Sequence, residues 1–154
     1  MKRSMYRFKY ANKREYADFF AKEAERMHGD WIKRRGIEVI LPVPMYDRKK
    51  KLRGYNQAEV FADRLGRELG IPVDSKLVKR IKNTVPQKEL SEKQRKDNVK
   101  GAFQVRTNIV KYRKVLLVDD IYTTGTTIDA MSECMLAGGA DEVYFLSICI
   151  GEGH

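Results

Sequence analysis

Four consecutive apolar residues, Val115, Leu116, Leu117 and Val118, run straight into Asp119 and Asp120, and two residues later into the turn Thr123, Thr124, Gly125, Thr126 and Thr127. An unbroken apolar run of that length fits a strand covered on both faces, the kind a parallel sheet buries. Behind the turn, the spacing of Ile128, Met131 and Met135 fits a helix with one side on the core. The turn therefore sits at a strand's carboxyl end, where the free N–H groups of the first helical turn can surround a phosphate and the helix dipole favours its charge. Gly125 lets the backbone close in. Asp119 and Asp120 precede the turn; as ionised carboxylates they only accept hydrogen bonds, so they suit the two hydroxyls of a ribose better than a second phosphate. The stretch reads as a cradle for a ribose phosphate. The plainer alternative, a buried strand before an ordinary capped helix, accounts for Asp and Thr at a helix start but not for paired acids ahead of a Thr-Gly turn.

The rest of the chain alternates in the same way. Tyr16, Phe19, Phe20, Ala24 and Met27 keep helical spacing and predict an amphipathic helix over about 14–27, with Trp31 and Ile32 continuing its packing. Residues 37–43 read as a buried strand stopped by Pro42 and Pro44, and a basic loop follows. Ala58, Phe61, Ala62, Leu65 and Leu69 mark a second helix, capped by Gly70 and stopped by Pro72. Residues 77–81 predict a half-exposed strand, 101–105 and 143–150 supply the remaining strands, and Gly138 and Gly139 end the helix after the turn. Such alternation implies an α/β fold, a mostly parallel sheet with helices on both faces, whose ligands bind outside the strands' carboxyl ends. The acidic motif and the basic loop then share one crevice. Between 83 and 100 charged and amide side chains take over, with Ser91 and Gln94 in a capping-box arrangement. A polar segment of this kind within a compact domain is more often mobile or functional than buried.

Composition narrows the class. A chain of 154 residues fits one domain, 1–154, and 42% hydrophobic with 34% charged residues suits a globule rather than a disordered chain. No apolar run approaches the ~20 residues a membrane helix needs, and the start at Met1, Lys2 and Arg3 does not lead into the apolar core of a signal peptide, so the cytoplasm is the expected address. Cys134 and Cys149 are the only cysteines; two cannot make a zinc site by themselves, and they read as buried apolar thiols. His28 and His154 are placed at a helix end and at the last position, and neither makes a convincing base. The net charge of +10 implies affinity for anions, through local positive charge for a polyphosphate or through a basic face for a nucleic acid. Arg48, Lys49, Lys50, Lys51 and Arg53 form the densest cluster, placed after a predicted strand where a pyrophosphate could be clamped; the alternative is a solvated surface loop.

The acidic pair with its Thr-Gly turn resembles the signature of the type I phosphoribosyltransferases. Leu41-Pro42-Val43-Pro44, Arg53-Gly54-Tyr55-Asn56-Gln57-Ala58-Glu59, Thr84-Val85-Pro86-Gln87 and Asn98-Val99-Lys100-Gly101-Ala102-Phe103 resemble the ComF family of competence-associated proteins. That resemblance spans nearly the whole chain. ComF relatives commonly begin with a four-cysteine zinc module; this sequence starts near Tyr6-Arg7-Phe8-Lys9-Tyr10, the segment that usually follows it, so the module is expected to be absent or supplied by another chain.

The resemblance implies a type I phosphoribosyltransferase-like fold in which 83–100 form a flexible hood, with Gln87, Lys88, Arg95 and Asn98 as candidate contacts. It also implies a pentosyl transfer, from phosphoribosyl pyrophosphate to an unidentified acceptor. In that scheme Thr123, Thr124, Gly125, Thr126 and Thr127 hold the 5'-phosphate, while Asp119 and Asp120 hold the ribose hydroxyls and stabilise the charge developing at the anomeric carbon. Arg48, Lys49, Lys50, Lys51 and Arg53 approach the pyrophosphate, and Mg²⁺ enters with the substrate oxygens and not through a permanent protein site. Two positions depart from the pattern. Thr126 stands where many phosphoribosyltransferases have a second glycine, and Thr123 where the hypoxanthine and guanine salvage enzymes carry an aspartate base, which disfavours that purine salvage and leaves the general base unassigned. ComF relatives are linked to natural transformation, which supplies a reading of another class: a non-catalytic ribose-phosphate-binding protein that contacts single-stranded DNA or DNA-uptake proteins. A third is a sensor that binds the same metabolite to regulate a partner. Membrane insertion is not expected, and oligomerisation is left open.

Overall fold

The computed structural model of the protein describes residues 15–82, 91, 93–94, 101–107 and 111–151. Helix α1 (Glu15–Arg35) carries Glu15 and Asp18 in its first turn and Lys33, Arg34 and Arg35 in its last, charges that complement the helix dipole at both ends. It continues well past residue 27, through Trp31 and Ile32. Its buried face is Ala17, Phe20, Ala21, Ala24 and Ile32, whereas Phe19 and Met27, both assigned to the core by spacing, are 59% and 63% exposed. At about 100° per residue, a face centred on the small alanines leaves Phe19 on the opposite side and Met27 at the margin. Ile32 is buried, while Trp31 stays partly exposed and meets Tyr144 edge-on at 5.3 Å.

Strand β1 (Val39–Pro42) is buried at every residue. The predicted basic loop is instead a short helix, α2 (Asp47–Arg53), closed by the Gly54 N–H donating to the Lys50 carbonyl at 2.8 Å. Its run of Arg, Lys and Leu has good helix propensity and needs no buried face to stay solvated. Helix α3 (Gln57–Leu69) opens on Asn56, whose side chain accepts from the Ala58 N–H, and closes on Gly70 in the left-handed conformation, the one of the two caps that the sequence indicates. Strands β2 (Val78–Arg80) and β3 (Phe103–Val105) pair antiparallel. Strand β4 (Lys114–Tyr122), helix α4 (Thr126–Ala137) and strand β5 (Glu142–Ile150) complete the described elements. In the polar segment, the Ser91 N–H donates to Gln94 Oε1 at 2.9 Å and the Gln94 N–H to Ser91 Oγ at 3.3 Å, the reciprocal capping box read from the sequence.

The main sheet has the order β1-β4-β5 and is parallel throughout, with Val39 opposite Val115 and Lys114 opposite Glu142. Val73 adds a parallel bridge to Ile40 on the outer side of β1. Alternation along the strands divides the core in two. Ile40, Leu116 and Val118 pack with α1 and α3 on one face; Val39, Leu41, Val115 and Leu117 pack with Met131 and Met135 of α4 and with β2 and β3 on the other. The chain leaving β1 thus reaches its helix on one face while the chain leaving β4 reaches its own on the opposite face. Neighbouring parallel strands whose connections diverge leave a crevice at their carboxyl ends, the place where open α/β sheets bind ligands. No helix among the described residues is long and apolar enough to cross a membrane.

Candidate functional site

The crevice is floored by the end of β4. After Val118 the strand passes into Asp119 and Asp120, which are half-buried and line a cleft of about 230 Å³. Asp119 Oδ1 accepts the Asp120 N–H at 2.8 Å and Asp120 Oδ1 accepts the Ile121 N–H at 2.9 Å, so both carboxylates are held by their own strand. Burial raises the Asp119 pKa well above the usual carboxylate range; the adjacent Asp120 adds to the rise, and the Arg80 guanidinium opposes it.

Cations face this acid pair. Lys49 and Arg53 of α2 and Arg80 of β2 line the same cleft, together with Tyr46, Asn56, Gln57 and Thr127. Arg53 Nη1 donates to Gln57 Oε1 at 3.2 Å. Asn56 Nδ2 donates to the Val43 carbonyl at 3.0 Å while its Oδ1 caps α3, tying the end of β1 to the helix beside the cleft. Arg80 lies over the Phe103 ring at 5.4 Å, across the β2–β3 pair. Burial lowers the Lys49 pKa, and the like charges of Arg80 and Arg53 lower it further. Positive charge is crowded where no protein carboxylate other than the acid pair lines the cleft among the described residues.

The turn after β4 forms a smaller hollow that shares Asp119 and Thr127 with the main cleft and is lined also by Thr123, Gly125 and Thr126. Gly125 caps α4 at φ +80°, and a Cβ there would lie 2.7 Å from the Tyr122 hydroxyl. A side chain would be strained in that backbone conformation. Thr124 and Thr126 place their hydroxyls 3.3 Å apart, and Thr126 is buried. Tyr122 stacks on Phe145 with ring centres 5.3 Å apart, so it packs against the fold.

The basic cluster does not line a single cavity. Coiling into a helix sends its cations in three directions: Lys49 and Arg53 to the acid pair, Lys50 to a 2.7 Å ion pair with Glu59, and Arg48 and Lys51 to a separate cavity on the other side of Arg80. Gln87, Lys88, Arg95 and Asn98, like Tyr6, Tyr10 and His154, lie outside the described residues. Sequence reading gave no site role to Arg80, Asn56 or Gln57. For Arg80 a signal existed: Val78 is buried, and period-two geometry points the residue two positions on toward the same side. Cys134 and Cys149 are half-buried and not fully buried; their thiols donate at 3.7 Å to the carbonyls of Phe103 and Asp120, and burial raises the Cys134 pKa.

A family model described as the phosphoribosyl transferase domain matches residues 55–152. Competence protein F of Haemophilus influenzae is 44% identical over 108 residues, which are 69% of this chain and 47% of that protein. Competence protein ComFC of Bacillus subtilis is 25% identical over 139 residues, 90% of this chain and 55% of that one. The chain spans about half the length of the curated relatives it matches. The crystal structure of a purine phosphoribosyltransferase from Pyrococcus horikoshii Ot3 is similar with a TM-score of 0.52 at 16% identity, over 88% of this chain and 84% of that one, a likeness of fold.

Proposed function

Because the chain belongs to the phosphoribosyl transferase domain family, in its ComF-like type I branch, we propose that it binds phosphoribosyl pyrophosphate with Mg²⁺ and transfers the phosphoribosyl group to an acceptor. One observation carries the reading. An acid pair and three cations, Lys49, Arg53 and Arg80, face each other across a cleft at the carboxyl ends of parallel strands, beside a Thr-Gly turn that opens a helix. On this reading the turn of Thr123, Thr124, Gly125, Thr126 and Thr127 receives the 5'-phosphate. Asp119 and Asp120 accept from the ribose hydroxyls, and the cations hold the pyrophosphate.

The division of charge fits the chemistry. As the bond from the anomeric carbon to the pyrophosphate oxygen breaks, its electron pair leaves on the pyrophosphate, where Lys49, Arg53 and Arg80 stabilise it. The sugar carbon gains positive character, which the carboxylates offset. The acceptor's lone pair forms the new bond to the anomeric carbon, and the acceptor's proton passes to the departing pyrophosphate or to water. Asp119 and Asp120 are hard oxygen donors that would suit Mg²⁺ arriving with the substrate, and the ion would supply neutralisation of the diphosphate charge.

Competence, named in the relatives, is the proposed setting: a cytoplasmic step associated with DNA uptake. The net charge of +10 supports a second reading, contact with single-stranded DNA without turnover. The two separate on calorimetric titration. Under the transferase reading, phosphoribosyl pyrophosphate with Mg²⁺ binds saturably to the wild type and not to Asp119→Asn/Asp120→Asn. A folded wild-type chain that binds DNA steeply with falling salt but no phosphoribosyl pyrophosphate would overturn it.

A further inference from the structure

Beside the acid cleft lies a second, larger cavity of about 410 Å³ that the transfer scheme leaves unused. Arg48 and Lys51, three apart on α2 and so on one face of it, line one side. Lys79 and Arg80 of β2 line the other. Against these four cations the described lining has a single carboxylate, Asp47, which reaches Lys79 only at 3.9 Å with both side chains substantially exposed. An exposed pair of that length contributes little. Cations gathered in a concavity favour an anion, and four of them exceed what one carboxylate ligand would need. The rest of the described lining is one aromatic and one aliphatic residue, Tyr46 and Ile81, the latter 45% exposed. A ligand that satisfies both walls carries a doubly charged anion next to a flat apolar group.

The position of the cavity gives it a role. Arg80 and Tyr46 belong to both cavities, so the second opens directly beside the cleft that holds Asp119 and Asp120. Resting on the transferase reading above, we propose that this cavity is the acceptor subsite and that the acceptor is a phosphate monoester attached to a flat ring system. Arg48, Lys51 and Lys79 hold its phosphate, and Tyr46 and Ile81 hold its ring. Arg80 stands between the two anions, the acceptor phosphate on one side and the pyrophosphate on the other. The same chemistry is offered by a small aryl or nucleoside phosphate and by the phosphorylated end of a nucleic acid strand.

The test is calorimetric titration of the full chain with phenyl phosphate, in Mg²⁺ and saturating phosphoribosyl pyrophosphate so that the 5'-phosphate loop is filled. Saturable binding is expected for phenyl phosphate, with methyl phosphate and phenol each weaker by roughly tenfold or more. The variant Arg48→Gln/Lys51→Gln should weaken phenyl phosphate by roughly tenfold or more while its affinity for phosphoribosyl pyrophosphate stays within about threefold, since neither residue lines the acid cleft. A 5'-phosphorylated oligothymidylate, compared with thymidine 5'-monophosphate under the same conditions, tells which source binds tighter, and loss of either on the variant supports the subsite. Absence of phenyl phosphate binding to the wild type, equal binding by the variant, or a parallel fall in affinity for phosphoribosyl pyrophosphate would overturn the proposal. If phosphoribosyl pyrophosphate itself fails to bind, the transferase reading fails and the acceptor role with it; titration without it then decides whether the cavity is an aryl phosphate site.

Discussion

Asp119 places a carboxyl where burial and a like-charged neighbour both oppose its ionisation. Its carboxyl is desolvated and adjoins Asp120, which raises its pKa in the folded chain above the ordinary value. An acid with a raised folded pKa binds its proton more tightly when native than when unfolded, so stability falls as pH rises from the unfolded pKa through the folded one, and the full penalty persists above it. Asp119→Asn should therefore raise the Tm of the ligand-free protein at neutral pH, by about 2–4 °C for each 1 kcal/mol of relieved repulsion in a chain of this size, and leave acid stability little changed. The same variant should lose phosphoribosyl pyrophosphate binding, a trade common at functional sites. Thermal melts at pH 4 and pH 7 check the first outcome. Lys49 has the opposite tendency, its pKa lowered by burial and by Arg80 and Arg53. Affinity for phosphoribosyl pyrophosphate with Mg²⁺ should thus rise with pH as Asp119 loses its proton and fall again at alkaline pH as Lys49 loses its own. Titrations across pH would show this as a bell with both arms, and the alkaline arm should shift in Lys49→Arg.

Among the elements, α2 sorts which cations of the cluster line the acid cleft. Read as a loop, Arg48, Lys49, Lys50, Lys51 and Arg53 were equivalent; as a helix they are sorted by angle, and only Lys49 and Arg53 face the acid pair. Lys49→Ala should weaken phosphoribosyl pyrophosphate binding by about 10- to 100-fold, the range for a hydrogen bond to a charged group. Lys50→Ala, which releases a partly exposed pair with Glu59, should change it by less than about threefold. Equal effects would mean that the cations act as one diffuse patch. The elements themselves were mostly legible because their signals were strong. Val115 to Val118 gave an apolar run with no polar interruption, and α3 carried a helical apolar stripe closed by a glycine stop, although its Asn56 cap was not read. The helix α2 was illegible because it has no buried face to produce periodicity. The α1 stripe was misassigned at Phe19 and Met27 because large apolar residues were given weight that the alanines, packed closely against α3, take in the fold.

Across the whole molecule, the site follows from topology as much as from its residues. The acid pair and the Thr-Gly turn were readable because they are contiguous. Arg80 was not, because it arrives from another strand and owes its place to the ring of Phe103 and the field of Asp119, contacts between residues far apart in the chain. The divergence of β1 and β4 toward helices on opposite faces creates the crevice in which these groups meet. On the proposed function, this crevice is a phosphoribosyl pyrophosphate site with its ends in a fixed order. The most direct measurement is a crystal structure with that ligand and Mg²⁺. The expected map has the 5'-phosphate in the turn of Thr123 to Thr127, the ribose hydroxyls on Asp119 and Asp120, and the pyrophosphate against Lys49, Arg53 and Arg80. A ligand bound in the reverse sense, or with its pyrophosphate in the cavity of Arg48 and Lys51, would overturn the proposed function.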